Sequence, residues 1–376
     1  MRIVYGIICL CFLIFFHELG HFLAAKLFGV KVEAFSIGFG PKLFHKTIKG
    51  TDYRISCIPL GGYCAMKGEK EFANSLNAGL DYIEAEQDSL YGVNKFKRIL
   101  IAFAGPFFNI ILAFFAFTTI AVTGYTYYTY SNKILIPDEI QYPDLHSAAK
   151  EAGIMSGDVI LSVDSHKIND FNDLITSIGT NPDKDLIIEV LRDGKTFTFN
   201  VHSDLDKKTG AGKIGILADT TTLEKKEAKR YWLIPAIWQG LKETYCSTLI
   251  TIKGIFTLFK GVDIKENISG PARVADMMGG VLKESFSESI RSGVVNTLSF
   301  MAIISISLGV MNLLPVPVLD GGLILFALIE LVSRRKLSPK VLYYIQFIGI
   351  GFILFMFLIG LNGDIHYFAN VFKGIK

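Results

Sequence analysis

The chain has 376 residues, 51% of them hydrophobic and 19% charged, with a mean hydropathy of +0.40. That apolar content exceeds what a soluble core of this length hides, so the composition implies a multi-pass membrane protein. A formal net charge of +3 is too small to point to nucleic acid. The five cysteines, at positions 9, 11, 57, 64 and 246, have the spacing of neither a disulfide framework nor a cysteine-rich metal site, and read as free thiols.

In chain order, the first apolar segment is Ile3–Phe28. Its apolar run continues to Val30, too long for a signal-peptide core. Only Arg2 precedes it and no small-residue cleavage site follows, so it reads as a retained span. The loop Lys31–Arg98 is rich in Lys and Arg. The second span is Ile99–Gly124. The region Tyr125–Ser292 then reads as a small α+β domain followed by a membrane-skimming tail. Its "HSAAKEAGIMSGDVILSVDSHKINDFNDLITSI" predicts a short helix, a glycine turn, a strand, a turn and a second helix. "KDLIIEVLRDGKTFTFNV" is two alternating runs about Asp193-Gly194, a hairpin signal. Tyr231–Phe259 has apolar residues at helical spacing interrupted by Lys242, Glu243 and Lys253. It reads as an amphipathic helix on the membrane surface rather than a fifth span.

The third apolar segment starts near Val294 and is too long for one straight span. Pro315 and Pro317 remove backbone donors and Gly321 and Gly322 add freedom, so the helix is expected to unwind over Leu314–Gly322 and then resume. The fourth span is Val341–Leu361. The basic connection Ser333–Lys340 belongs in the cytoplasm, as does the Lys31–Arg98 loop. Both termini and the region between spans two and three then lie on the other side.

The first span contains "HELGH". On a helix His17 and His21 stand one turn apart on one face and can share a divalent metal. Glu18 beside them can take a proton from metal-activated water, which is the mechanics of an H-E-x-x-H metalloprotease. A chance match is expected in roughly one chain in a hundred of this length. Inside a span it is rarer, because ionisable groups at membrane depth are costly unless paired or coordinated. The bland alternative is two histidines bonded to neighbouring helices.

A hydrolytic zinc site takes three protein ligands and keeps one position open. Asp320, in "NLLPVPVLDGG", lies in the expected helix break and is the candidate third ligand. Glu330 is its rival, but its closeness to Arg334 and Arg335 puts it near the interface. His45, His146, His166, His202 and His366 fall in loops or near an end and read as solvated. Asn312 opens the same motif. Its amide can donate to a substrate carbonyl or a developing oxyanion, or simply cap the broken helix.

"HELGH" together with "NLLPVPVLDGG" resembles the site-2 protease family of intramembrane zinc metalloproteases, its bacterial RseP type in particular. "FSIGFGPKLF" (Phe35–Phe44), "ISCIPLGGYCAMKGE" (Ile55–Glu69), "AGPFFNIILA" (Ala104–Ala113), "AGIMSGDVILSVD" (Ala152–Asp164) and "ISGPARV" (Ile268–Val274) extend the resemblance over nearly the whole chain. It implies zinc held by His17, His21 and Asp320, Glu18 as general base and Asn312 in contact with substrate. It implies a polytopic α-helical membrane protein of about four transmembrane helices, the third broken, with a membrane-associated β-hairpin loop at about 31–70 and one inserted periplasmic PDZ domain. The implied divisions are 1–124 (two spans and the β-loop), 125–218 (PDZ), 219–292 (surface helix and connector) and 293–376 (two spans). Substrate is expected to pair as a strand with the β-loop, which frees its peptide carbonyls from helical hydrogen bonds.

The implied location is the bacterial inner membrane. The implied partners are single-pass membrane proteins, either a pre-cleaved anti-sigma factor or remnant signal peptides. Three features depart from the pattern. The chain has room for one PDZ domain where longer relatives carry two. Leu323 follows "LDGG" where a histidine is common. No PDZ carboxylate-binding loop is evident, "GKIGI" (Gly212–Ile216) being at most a remnant, which points to a size filter rather than a reader of C-termini. The rival readings are a metal transporter or sensor and an inactive PDZ-bearing scaffold. Convergence of the ionisable groups on one point argues against the first, and the intact His17, Glu18, His21 and Asp320 against the second.

Overall fold

The computed structural model describes residues 2–137, 146–258, 260–262 and 270–372. Phe259 and the first two residues of "ISGPARV" lie outside the described residues. The chain divides into two compact units, Met1–Thr123 with Tyr231–Thr248 and Ser269–Lys376, and Gly124–Arg230 with Leu249–Ile268.

The first unit opens with α1 (Arg2–Leu27), the long strands β1 (Val32–Ile48) and β2 (Thr51–Met66), α2 (Glu69–Asn77) and α3 (Lys95–Thr123). The second unit then carries β3 (Thr126–Thr129), β4 (Ile134–Leu135), α4 (Ala148–Glu151), β5 (Val159–Val163), β6 (His166–Lys167) and α5 (Phe171–Gly179). It continues with β7 (Lys184–Arg192), β8 (Lys195–Leu205), β9 (Gly212–Lys213), β10 (Leu217–Ala218) and β11 (Glu224–Glu227). After α6 (Leu233–Leu258) come α7 (Pro271–Glu288), α8 (Ile290–Asn312), α9 (Asp320–Ser333) and α10 (Pro339–Phe372).

Among the described residues, four helices are long and apolar enough to cross a membrane: α1, α3, α8 and α10. The chain is a membrane protein on that evidence. α6 is not one of the four, in keeping with its internal charges. Its narrow buried strip is Ala236, Gly240 and Thr244, and a side chain at Gly240 would run into Thr118 of α3. Trp232 before it, and Ile234, Trp238, Leu241 and Tyr245 on it, are exposed.

The third apolar segment does break, but over 313–319 only. α8 ends at Asn312 and α9 begins at Asp320, so Asp320, Gly321 and Gly322 are helical rather than unwound. A carboxylate in the first turn favours that start, because it faces the positive end of the helix dipole. The two glycines serve close approach instead of freedom. A side chain at Gly321 would strike the carbonyls of Leu313 and Leu314, and one at Gly322 that of Val316. Val318 sits at φ 84, a strained conformation for a β-branched residue that costs roughly 1–3 kcal/mol. Val318→Gly is therefore expected to stabilise the protein by about 1 kcal/mol. The denaturation midpoint in detergent checks this, and an unchanged or lower midpoint would contradict it.

β1 and β2 form the expected hairpin, folded over on itself. The first half of β1 pairs on one edge with the end of β2 (Phe35 with Cys64, Ile37 with Gly62) and on the other with its beginning (Phe35 with Tyr53, Ile37 with Ile55). The second half of β1 pairs with that same beginning (Lys46 with Tyr53). Two strands thus make four rungs, in the order Gly62–Met66, Ala34–Ile37, Asp52–Ile55, Phe44–Thr47. Positive φ at Gly38, Gly40 and Gly61 turns the corners. Asp52 clips the curl by accepting from Lys42 (2.7 Å), Arg54 (2.8 Å) and His45 (3.2 Å), and the two cations hold its carboxyl well below the usual range.

The second unit is built on an antiparallel sheet of order β6-β5-β7-β8-β9. β7 alternates as its sequence predicts: Leu186, Ile188 and Val190 are fully buried, each contributing about 1.5–3 kcal/mol. The β7–β8 turn places Asp193 and Gly194 at φ 49 and 76, as the Asp-Gly pair requires. α5 is capped by Asp170, whose carboxylate accepts the Asp173 N–H at 3.1 Å. Asp170→Ala should cost about 1–2 kcal/mol, measured by urea denaturation of the full chain; a loss near zero would mean another group takes the Asp173 N–H.

Candidate active site

α1 is an uninterrupted apolar helix, so the four-residue spacing does stack His17 over His21, both 6% exposed. Their Nε2 atoms are 3.3 Å apart. Asp320, at the start of α9, faces both rings, with Oδ2 at 3.2 Å from His17 Nε2 and Oδ1 at 3.3 Å from His21 Nε2. Oδ2 approaches without hydrogen-bond alignment and stays buried with no donor. Among the described residues these three side chains form the one group of metal-binding type.

The donor set fits zinc. Donors bound tetrahedrally at about 2.0–2.1 Å stand about 3.3 Å from one another, which is the separation found between each pair of residues. Two imidazoles and a carboxylate are also a catalytic zinc set, three protein ligands with a fourth position left over. The carboxylate oxygen without a donor is what a cation would satisfy.

Glu18 lines the same cavity, of about 750 Å³, with His17, His21, Tyr63, Asn312 and Asp320. The end of β2 lies against it: a Cβ at Gly62 would be 3.5 Å from Glu18 Cγ. Asn312, the last residue of α8, places its amide 3.3 Å from His17 Nε2. The structure therefore brings all five expected site residues to one cavity. Cys64 lines it too. Burial first, and the Glu18 carboxylate second, push its thiol up to about 12, so it offers no thiolate.

The rival ligand Glu330 lines the same cavity but is not among the three grouped donors. It is 4% exposed, not facing the interface as its closeness to Arg334 and Arg335 suggested. It forms a buried ion pair with Arg98 of α3 at 3.0 Å and accepts the Leu337 N–H at 2.9 Å. The sequence separation hides that partner. His45, His146, His166, His202 and His366 are all exposed, with His366 near the end of α10, although His45, His166 and His202 lie in strands rather than in loops.

The sequence matches the model of peptidase family M50 over residues 5–356. The chain belongs to peptidase family M50. Three of its relatives carry the name "Putative zinc metalloprotease". That of Treponema pallidum is 32% identical over 98% of this chain and 99% of its own length. The Campylobacter jejuni protein is 34% identical over 96% and 92%, and the Helicobacter pylori (strain 26695) protein 32% identical over 96% and 98%. The Treponema alignment runs over 447 positions, so that relative carries insertions this chain lacks.

As an M50 peptidase, the chain is a zinc-dependent enzyme of the site-2 protease family, whose members act on membrane proteins within the bilayer. Sequence reasoning left Gly105 and Asn109 of α3 without a role in this M50 site. A side chain at Gly105 would run into the His21 ring, and the fully buried Asn109 has its amide 3.0 Å from His17 Nδ1. The signal available was an asparagine at membrane depth, where polar groups are rare.

Proposed function

We propose that this M50 peptidase hydrolyses a peptide bond within or beside the transmembrane helix of single-pass membrane proteins. His17, His21 and Asp320 are the zinc ligands in this reading, Glu18 is the general base and Asn312 a substrate contact. The observation that carries it is the trio of donor separations at 3.2–3.3 Å around a cavity that also admits Glu18. Bound zinc supplies a Lewis acid that polarises the scissile carbonyl and makes water easier to deprotonate. Glu18 takes the proton of the attacking water and passes it to the leaving amine. Asn312 donates its amide N–H to the carbonyl oxygen as charge develops there.

The substrate enters as a strand. Among the described residues, Gly62–Met66 pairs on one edge only, and that segment borders Glu18. Strand addition at the open edge would hold an extended peptide with its carbonyls exposed. The partners we favour are an already trimmed anti-sigma factor or remnant signal peptides.

The chain divides, in this reading, into 1–124, a periplasmic PDZ domain at 125–218, a surface helix and connector at 219–292, and 293–376. A groove of about 550 Å³ in the second unit, walled by Phe171, Leu174 and Ile178 of α5 and by Leu205, Ile214 and Ile216, supports a PDZ-like domain. Gly212–Ile216 form part of its wall. The inner-membrane location, with both termini periplasmic, rests on the Lys and Arg of Lys31–Arg98 and Ser333–Lys340. α6, with its exposed Trp232, Trp238 and Tyr245, is placed at the membrane surface on aromatic-belt grounds.

Elemental analysis of the detergent-purified protein, with cleavage of a single-pass model substrate, tests the proposal. One zinc per chain is expected, falling in Asp320→Ala. A chelator should stop cleavage and added zinc restore it. A wild type that cleaves without any bound metal would refute the reading.

A further inference from the structure

Both histidines of the site are braced from behind by one stretch of α3. His21 Nδ1 lies 2.9 Å from the Ile101 carbonyl oxygen. A carbonyl only accepts, so the ring carries its proton on Nδ1 and turns a bare Nε2 toward Asp320. The ring fits there because position 105 is glycine; any side chain would occupy its place. His17 Nδ1 meets the amide of Asn109 at 3.0 Å. Asn109 is 0% exposed, and its backbone carbonyl accepts Ser305 Oγ of α8 at 2.8 Å, which ties the residue into a second helix.

An amide fits its density of neighbours in two orientations. With its NH₂ toward His17, Nδ1 accepts, and a neutral ring must carry its proton on Nε2, the atom facing Asp320. That orientation leaves Asn109 Oδ1 buried without a partner, and turning the amide over puts its NH₂ in the same place, so it is the proton on His17 Nε2 that separates the two orientations. Turned over, Oδ1 accepts the Nδ1–H, and His17 Nε2 is bare like that of His21.

We propose that Asn109 is a positioning residue whose Oδ1 accepts the Nδ1–H of His17, and that Ile101, Gly105 and Asn109 together preset both histidines for metal binding. The inference rests on the zinc reading above. α3 makes no ligand of its own but selects the tautomer of two. Such outer partners change metal affinity by about 10–100-fold when removed.

The test is the zinc dissociation constant of the full-length detergent-solubilised protein, by chelator competition. Asn109→Leu, of similar volume, removes the acceptor and should weaken zinc binding about 10–100-fold. Asn109→Asp restores an acceptor and should recover most of the affinity. Gly105→Ala should weaken binding by displacing the His21 ring. Visible spectra of cobalt-loaded wild type and Asn109→Leu give a reading independent of how Asn109→Asp folds, and they should differ in the ligand-field bands. Wild-type affinity and an unchanged cobalt spectrum in Asn109→Leu would overturn the inference, as would an Asn109→Asp variant that folds yet binds as poorly as Asn109→Leu. A wild type that takes up neither metal would instead overturn the zinc reading itself.

Discussion

Glu18→Gln should lower cleavage about 10²–10⁴-fold, the usual worth of a positioned general base, while zinc content stays at the wild-type level. The exchange keeps the side chain's length and its place beside Gly62, and Glu18 is outside the trio of donor residues. What it removes is the ability to take a proton from water and return it to the amine. A single-turnover assay at saturating substrate, with metal content measured on the same sample, separates the two effects. Cleavage at the wild-type rate would eliminate Glu18 as the base. Zinc lost together with activity would make Glu18 a ligand instead.

The second large effect is expected at the Arg98–Glu330 pair, outside the donor trio. Glu330→Ala strips a buried ion pair of one partner and should destabilise the protein by about 3–5 kcal/mol. The Arg98 guanidinium, 12% exposed in the intact pair, would lose its counter-charge, and the Leu337 N–H would lose its acceptor. Lys95 would keep its bond to the Glu330 backbone oxygen at 2.6 Å, so part of the α3–α9 joint survives. Replacing both charges, Arg98→Met with Glu330→Leu, should recover much of the loss, because the apolar pair pays no desolvation. Unfolding in detergent measures both. Equal loss in the single and double variants would assign the effect to packing rather than charge.

The meeting of His17, His21 and Asp320 was legible because a helical period of 3.6 leaves little choice about His17 and His21, and because few acidic residues occur in the third apolar segment. The break after Asn312 followed from Pro315 and Pro317. The resumption at Asp320 was not, since prolines announce a break but not its end; the end is decided by an acidic residue at the positive pole of the next helix. Gly321 and Gly322 read as flexible, yet what they provide is room for three carbonyls, which only the folded path of 313–319 reveals. The partner of Glu330 lies 232 residues away, beyond any local pattern. The roles of Gly105 and Asn109 depend on how α1 crosses α3, and a single sequence carries no crossing angle. The hairpin was expected as two paired strands, but its fold-over depends on Gly38, Gly40 and Gly61 adopting positive φ together.

That folded-over hairpin has a bearing on which peptides are cut. Under the strand-addition reading, Gly62–Met66 is the template, and its register is locked by pairing with Ala34–Ile37 on the far side. A peptide docked on such an edge shows alternate side chains to alternate faces. Residues at even and odd distances from the scissile bond then meet different surroundings, one set the cavity beside Glu18, the other the outside. Sequence preference should accordingly recur at every second position, strong, weak, strong, instead of every third or fourth as it would for a recognised helix. A one-residue slip exchanges the two sets entirely, so a substrate would be read by the beat of its side chains as much as by their identity.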